Sequence, residues 1–378
     1  MKFKLSDFAK VGSSKRIYAK EYRKSGIPFY RGKEIIAKSE GRKVDNVLFI
    51  SKDKYNDLSK RASVPQENDI LISAVGTIGK IYHVDQKDIP FYFKDGNLIR
   101  IYDYNLSLID PYYLYYLLKS NYAQDKIKKI EIGSTQKAIT IKDISNMKFD
   151  IPSLKKQQEV ARIPKLIDTR IKLNDKINDN LDSLLTTIFE KEVKNINYSK
   201  ANLTDIANYR NGLAMQKYRP KSNEKSLPVL KIKELNQGFT DSSSDRCSSE
   251  INKDFIVKTG DIIFSWSGTL LVKNWLGTTA GLNQHLFKVT SKKYPNWFIY
   301  EWTKYHLNKF QTIASGKATT MGHIKRSDLK ESQVYIPNEE KLNKLNTLMR
   351  PIYDERIEII RENQQLTYIK QILLQKYF

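Results

Sequence analysis

One cysteine, Cys247, stands in 378 residues, so an internal disulfide framework is excluded and the chain suits a reducing cytoplasm. Histidine is scarce too: His83, His285, His306 and His323 are scattered, and with a lone cysteine they match no zinc-ligand spacing. No window approaches the roughly 18 uninterrupted apolar residues that span a bilayer. The opening MKFKLSDFAK has no apolar core of a secretory signal. Negative charge is in deficit. Against 65 Lys and Arg there are 42 Asp and Glu, a formal charge of +23. That excess makes a polyanion the first partner to consider, and the absence of an apolar span favours nucleic acid over membrane.

Hydrophobic residues make up 40% of the chain, enough for packed cores in two domains of ordinary size. A repeat organises them. Leu5-Ser6-Asp7-Phe8-Ala9 returns as Leu203-Thr204-Asp205-Ile206-Ala207, and Ile27-Pro28 through Lys33-Glu34-Ile35 as Leu227-Pro228 through Lys233-Glu234-Leu235. Asn68-Asp69-Ile70-Leu71-Ile72-Ser73 returns as Gly260-Asp261-Ile262-Ile263-Phe264-Ser265, and Phe149-Asp150-Ile151-Pro152 as Val334-Tyr335-Ile336-Pro337. The order is kept and the offset drifts only from about 200 to about 185 residues, so the chain is a tandem duplication.

Each half has one plan, of α+β class. Short apolar runs (Val47–Ile50, Ile70–Val75, Leu98–Tyr102 in the first) read as strands separated by Gly, Asp and Asn. An aromatic helix follows, opened at Asp110-Pro111-Tyr112 and at Tyr294-Pro295-Asn296, its stripe of rings turned to the core. A long polar helix then closes each half, over about Leu154–Glu192 and about Glu339–Tyr377. Heptad assignment puts Val160, Ile167, Asn174, Leu181 and Ile188 at a, with Ile163, Arg170, Ile177 and Leu184 at d. In the second helix Leu345, Ile352, Ile359, Leu366 and Leu373 fall at a, and Leu348, Glu355, Glu362 and Ile369 at d. Pro164 and Pro351 are expected to kink or restart the helices. The residues beyond them make rods of roughly 42 Å. Antiparallel pairing would set Arg170 opposite Glu362.

The order of globular part, long helix, globular part, long helix resembles the specificity subunits of type I restriction–modification systems, over essentially the whole chain. The residues that carry the likeness are Asp69 to Lys80, Phe93-Lys94-Asp95-Gly96-Asn97-Leu98, Gly133 to Ile139, Ile151 to Glu159 and Ile167 to Asn174. The second half departs from them, with Trp266-Ser267-Gly268-Thr269 for Ala74-Val75-Gly76-Thr77 and Asn283-Gln284-His285-Leu286 for the Gly96-Asn97-Leu98 stretch. The resemblance implies two similar mixed α/β target-recognition domains, at 1–152 and 196–337. Spacer helices at 153–195 and 338–378 pair as an antiparallel coiled coil with pseudo-twofold symmetry. It also implies a non-catalytic subunit that binds double-stranded DNA at a bipartite, asymmetric site. Methyltransferase and restriction subunits are then its partners, and S-adenosylmethionine, ATP and Mg belong to them, not to this chain.

The residues themselves offer no catalytic alternative of weight. Gly76-Thr77-Ile78-Gly79-Lys80 lacks the spacing of a phosphate-wrapping loop and reads as a turn between two strands. Asp110-Pro111-Tyr112-Tyr113 lacks the second proline of an adenine-methyltransferase loop and reads as a capped helix start. A diverged methyltransferase or nuclease and a non-specific architectural protein are the competing classes. The first predicts methyl-donor binding, the second equal affinity for every duplex.

The expected DNA contacts mix cations with aromatic and small polar side chains. In the first half they are Lys15, Arg16, Tyr18, Lys20 and Arg23, then Arg31 and Lys33 on an expected strand, then Ser134, Thr135, Gln136 and Lys137 in a loop. In the second they are Arg210, Arg219 and Lys221, then Lys231 (with Lys233 beyond it) on the equivalent strand, then Lys317, Thr319 and Thr320. Both loops suit a phosphate just before a short helix. Trp266 is read as a core or rim aromatic.

Overall fold

Apolar runs of three to five residues, punctuated by Gly and Asn, become short strands in the computed structural model, which describes residues 2–42, 44, 46–61, 64–133, 137–195, 197–241, 243–316 and 322–378. The chain divides into two units, Met1–Arg170 with Leu366–Phe378, and Ile171–Gln365.

In the first unit a four-stranded antiparallel sheet runs in the order Lys10–Gly12, Leu98–Tyr102, Ile70–Ser73, Ile81–His83. A smaller sheet sets Ile27–Tyr30 between Leu48–Ile50 and a parallel Tyr92–Phe93. Lys2–Lys4 pairs with Lys148–Asp150 where the chain leaves the unit. The second unit repeats this. Its main sheet is Asn208–Asn211, Leu286–Thr290, Ile262–Ser265, Leu271–Asn274. Its smaller sheet centres on Ser226–Leu230 and a parallel Ala280–Leu282, and Ser199–Asn202 pairs with Gln333–Ile336. The duplication in the sequence is a duplication of the fold.

The aromatic helices lie at Pro111–Lys119 and Asn296–Tyr305. Asp110 accepts the Tyr113 N–H at 2.8 Å and Pro111 fills the first position, as a capped start requires. Tyr113, Leu114, Tyr116, Leu117 and Leu118 are buried from one helix, and Trp297, Phe298, Ile299 and Trp302 from the other. Each such side chain contributes about 1.5–3 kcal/mol on burial.

The strand expected through Arg31 and Lys33 ends at Tyr30, and a helix runs from Gly32 to Ser39. In the second unit Ser226–Leu230 likewise gives way to a helix at Ile232–Gln237, so Lys33 and Lys233 are helical and Arg31 and Lys231 are cap residues. The cause is an acid three residues on. Glu34 accepts the Arg31 N–H at 2.9 Å and Glu234 the Lys231 N–H at 3.2 Å.

The long helices span Leu154–Ile188, continued by a π turn at Phe189–Val193, and Glu339–Tyr377. Neither Pro164 nor Pro351 interrupts them, although each forfeits a backbone hydrogen bond. In both units stretches of the two run antiparallel. Lys370 reaches Asp168 at 2.5 Å in the first unit. In the second, Arg356 meets Asp182 at 3.4 Å and Lys341 meets Glu192 at 2.7 Å. Asn174, fully buried, donates to Glu362 at 3.0 Å and to Asn363 at 2.9 Å. Asn174 is thus a buried amide in the seam, of the kind that fixes register.

The seam needs one correction. Its a positions hold: Ile167, Asn174 and Ile359 are buried, and Leu181, Ile188, Ile352, Leu366 and Leu373 are half-buried. At d, Ile163, Leu184, Leu348 and Ile369 are 42%, 45%, 49% and 46% exposed, Arg170 is exposed, and Ile177 and Glu362 are half-buried. The covered residues lie one place on, at Pro164, Ile171, Asn178 and Leu185 and at Met349, Arg356, Asn363 and Lys370. The covered stripe is therefore a and e in place of a and d, still repeating every seven residues, because each helix also packs on a globular part.

Candidate nucleic-acid interface

Within each unit three loops are laced together at one end of the main sheet. In the first, Ala74 N–H donates to the Asn97 carbonyl at 2.9 Å, Ile139 N–H to the Ala74 carbonyl at 3.0 Å, and Gly76 N–H to the Lys137 carbonyl at 3.3 Å. In the second, Trp266 N–H donates to His285 at 3.4 Å, Ile324 to Trp266 at 3.1 Å, and Gly268 to Gly322 at 2.9 Å. The two lacings match bond for bond. Gly76 and Gly79 have φ of +76° and +77°, the left-handed turn that closes Ile70–Ser73 onto Ile81–His83. The turn expected between two strands is what stands there.

The segment after Gly12 is fastened to the same end. Ser13 Oγ donates to the Leu98 carbonyl at 2.8 Å, Ser14 Oγ to Phe93 at 2.7 Å, and Lys15 N–H to the Tyr92 hydroxyl at 2.8 Å. Lys15 and Arg16 are thereby held beside the Asp95-Gly96-Asn97 turn, with Arg16 Nε 4.0 Å from Asp95 and its guanidinium 5.7 Å from the Tyr18 ring centre. Lys15, Tyr18 and Lys20 are exposed. In the second unit Arg219 and Lys221 are exposed likewise, and Arg210 is an outer cation, 3.2 Å from Asp254.

Other expected contacts are engaged within the protein. Arg31 grips Glu34 through Nη2 at 2.7 Å and Nε at 3.3 Å, and Lys33 lies 3.7 Å from the same carboxylate. Arg23 donates to the Lys20 and Tyr22 carbonyls at 3.0 and 2.9 Å. Lys137 pairs with Glu131 at 2.8 Å, and Lys231 pairs with Asp245. Ser134, Thr135, Gln136, Lys317, Thr319 and Thr320 lie outside the described residues.

Two features escape a reading that searches for basic clusters alone. One is a polar and aromatic patch at the loop end of the second unit. Trp266 is held by its Nε1–H to Asn211 Oδ1 at 2.9 Å and by stacking on Phe287 at 5.7 Å. His285 and His323 flank its ring at 5.8 and 6.3 Å. The other is a groove of 720 Å³ in that unit, lined among others by Lys292, Lys293, Arg326 and Lys330. A position-by-position comparison of the two halves was the signal that could have found both.

Behind these surfaces lie charge pairs, one buried and one half-buried. Asp69 and Arg100 pair at 2.5 Å, and Asp261 and Lys288 at the equivalent positions at 2.7 Å. On the second aromatic helix, burial pushes the Glu301 carboxyl up to about 7, opposed by Lys304 and Arg356. Burial also pulls His306 down to about 4, while its Nε2–H donates to the Gln333 carbonyl at 2.9 Å. These groups face the interior. Among the described residues no cluster of His, Cys, Asp and Glu is placed to hold a metal ion, and no helix is long and apolar enough to cross a membrane.

Comparison with known proteins agrees with the duplicated plan. The family described as type I restriction modification DNA specificity domain matches residues 1–183 and again 195–368. A type I restriction enzyme specificity subunit (MjaIX) of Methanocaldococcus jannaschii is 25% identical over 294 residues, covering 69% of this chain and 66% of that protein. A putative one from Haemophilus influenzae is 33% identical over 162 residues, 42% of this chain and 38% of that protein. The chain thus spans less than two thirds of the length of these relatives. The crystal structure of a type I restriction–modification S subunit from M. genitalium shares the fold, with a TM-score of 0.56 at 15% identity, over 100% of this chain and 96% of that one.

Proposed function

This chain belongs to the type I restriction–modification DNA specificity family, and from that premise we propose that it is the sequence-reading subunit of such a complex. Each unit docks on duplex DNA through exposed cations around its laced loops and reads a few base pairs with the side chains those loops carry. The observation that supports this best is the paired lacing: one set of backbone hydrogen bonds, twice, holding different side chains. A scaffold kept while its loop tips diverge is what two readers of different half-sites require. The target is therefore bipartite and asymmetric.

The chain contributes no chemistry to the reaction. Methyl transfer and cleavage fall to methyltransferase and restriction subunits, which bring S-adenosylmethionine, ATP and Mg. The paired long helices are the surface on which those subunits assemble. The basic groove at Lys292, Lys293, Arg326 and Lys330 adds phosphate contacts in the second unit.

Co-expression with a methyltransferase subunit of a type I system, followed by base-resolution mapping of methylated adenines, tests this reading. Methylation confined to one split motif, and lost without this chain, is the expected result. Unchanged methylation with no complex formed would overturn it in favour of a non-specific architectural protein.

A further inference from the structure

The equivalence of the two lacings turns each unit into a control for the other. Pairing the hydrogen bonds one by one aligns Ala74 with Trp266, Asn97 with His285, and Ala138 with His323. The strand registers Gly12↔Arg100 and Arg210↔Lys288 align Ser13 with Asn211. Where the first unit carries Ser, Ala, Asn and Ala, the second carries Asn, Trp, His and His. The first unit closes the same loops without them, so the fold does not require them.

Their geometry is that of a prepared contact surface. All four are part-exposed. Trp266 is locked by Asn211 and Phe287, so its plane is fixed before any ligand arrives. Asn283 Oδ1 accepts the His285 N–H at 3.3 Å, and Gln284 Nε2 lies 3.3 Å from His285 Nε2. His285 Nδ1 is shielded from solvent and has no hydrogen-bond partner among the described residues. An unpaired, shielded ring nitrogen carries a desolvation cost, kept only where something offsets it. Amides and imidazoles beside a fixed aromatic plane match the donors, acceptors and thymine methyl that base pairs show in the major groove.

We propose that Asn211, Trp266, His285 and His323 form a base-contacting patch that sets the sequence preference of the second unit and has no counterpart in the first. The proposal rests on the DNA-reading function above and names residues within it. The patch reads base edges, whereas the surrounding cations hold phosphates. Losing it removes discrimination and leaves most of the salt-dependent affinity in place.

The test gives the patch the side chains of the first unit, as the triple variant Trp266→Ala, His285→Asn, His323→Ala in the full chain. Wild type and variant each select from a randomised duplex library, with thermal unfolding as the check on folding. The expected result is a two-part motif for wild type, of which the variant keeps one part and loses at least tenfold discrimination at positions of the other. Its salt dependence of binding is expected to stay unchanged. An identical motif from a folded variant overturns the patch and leaves the DNA-reading function standing. No motif from wild type overturns both. If the triple variant does not fold, His285→Asn alone decides by the same selection, because Asn occupies the equivalent place in the first unit.

Discussion

Asp69 and Arg100 neutralise each other at 2.5 Å with only 4% and 3% of their side chains exposed, at the place where Asp261 and Lys288 meet at 2.7 Å with 23% and 17% exposed. Both pairs tie the two central strands of a main sheet together, Leu71 opposite Arg100 and Ile263 opposite Lys288. Removing one partner of a dry pair strands a buried charge, whereas water relieves the loss in the wetter one. Asp69→Ala is therefore expected to cost about 3–5 kcal/mol, and Asp261→Ala about 1–2 kcal/mol. Urea unfolding of the two variants checks the order, and equal losses would contradict it.

Arg356 carries a second expectation. Its Nη2 donates to the Tyr300 hydroxyl at 2.7 Å and its Nη1 to Asn274 Oδ1 at 3.2 Å, with Nε 3.4 Å from Asp182. One guanidinium thus joins the second long helix to the aromatic helix, the main sheet and the first long helix, all within one unit. Arg356→Lys keeps the charge and loses the fork, so it should recover little of the roughly 3–5 kcal/mol that Arg356→Met costs. Denaturant midpoints of the two variants within a few tenths molar of each other would bear this out.

These links show what the sequence made legible. The repeat was visible because its cues are backbone cues: Asp69 and Asp261 open a strand in both halves, and Pro111 and Pro295 a helix. The aromatic stripe was legible as core because 3.6-residue spacing leaves a bulky face only one place to go. The seam shifted by one residue at Ile163, Leu184, Leu348 and Ile369 because each helix also covers a globular part, which a template for two helices alone leaves out. Lys33 and Lys233 left the expected strand because Glu34 and Glu234 cap a helix there, a local signal outweighed by the apolar run before it. Arg31 looked like a phosphate contact because basicity can be read in sequence, while its two bonds to Glu34 cannot.

Glu301 makes stability depend on pH in a definite direction. Burial raises its carboxyl to about 7 in the folded chain, above its ordinary 4.5, so the folded state holds a proton that the unfolded state has released. Its contribution is full below about 4.5 and is lost as pH rises through about 7, by about 3 kcal/mol at most. Glu301→Gln should remove that slope and raise stability at pH 8 relative to wild type. Unfolding free energies from pH 5 to 8 measure it, and parallel profiles for the two proteins would refute the assignment.

His306 acts with the opposite sign. Burial lowers its imidazole to about 4 from 6.5, so the unfolded chain binds a proton that the folded chain refuses. Stability is full above about 6.5 and falls as pH drops through about 4. Its Nε2–H bond to the Gln333 carbonyl suits the neutral ring. His306→Gln, which cannot charge, should flatten the acid limb of the stability profile, whereas Glu301→Gln, by removing an opposing slope over much of the same range, should steepen it.

The division between the cations proposed to meet DNA and the cations engaged within the protein yields the last prediction. Lys15 and Arg16 stand exposed beside the laced loops and Lys20 is exposed a few residues on, whereas Arg31 is engaged with Glu34. Each phosphate that the protein ceases to neutralise lowers the slope of log affinity against log salt by about 0.9. The triple variant Lys15→Ala, Arg16→Ala, Lys20→Ala should thus reduce that slope by roughly 2–3, weakening binding to every duplex alike with the preferred motif unchanged. Arg31→Ala should leave the slope within error and instead lower the melting temperature, because it uncovers the buried Glu34 carboxylate and loosens the helix it caps. Salt titrations and melting curves on the same two proteins separate the roles. A slope change from Arg31→Ala, with stability intact, would move that residue back to the DNA surface.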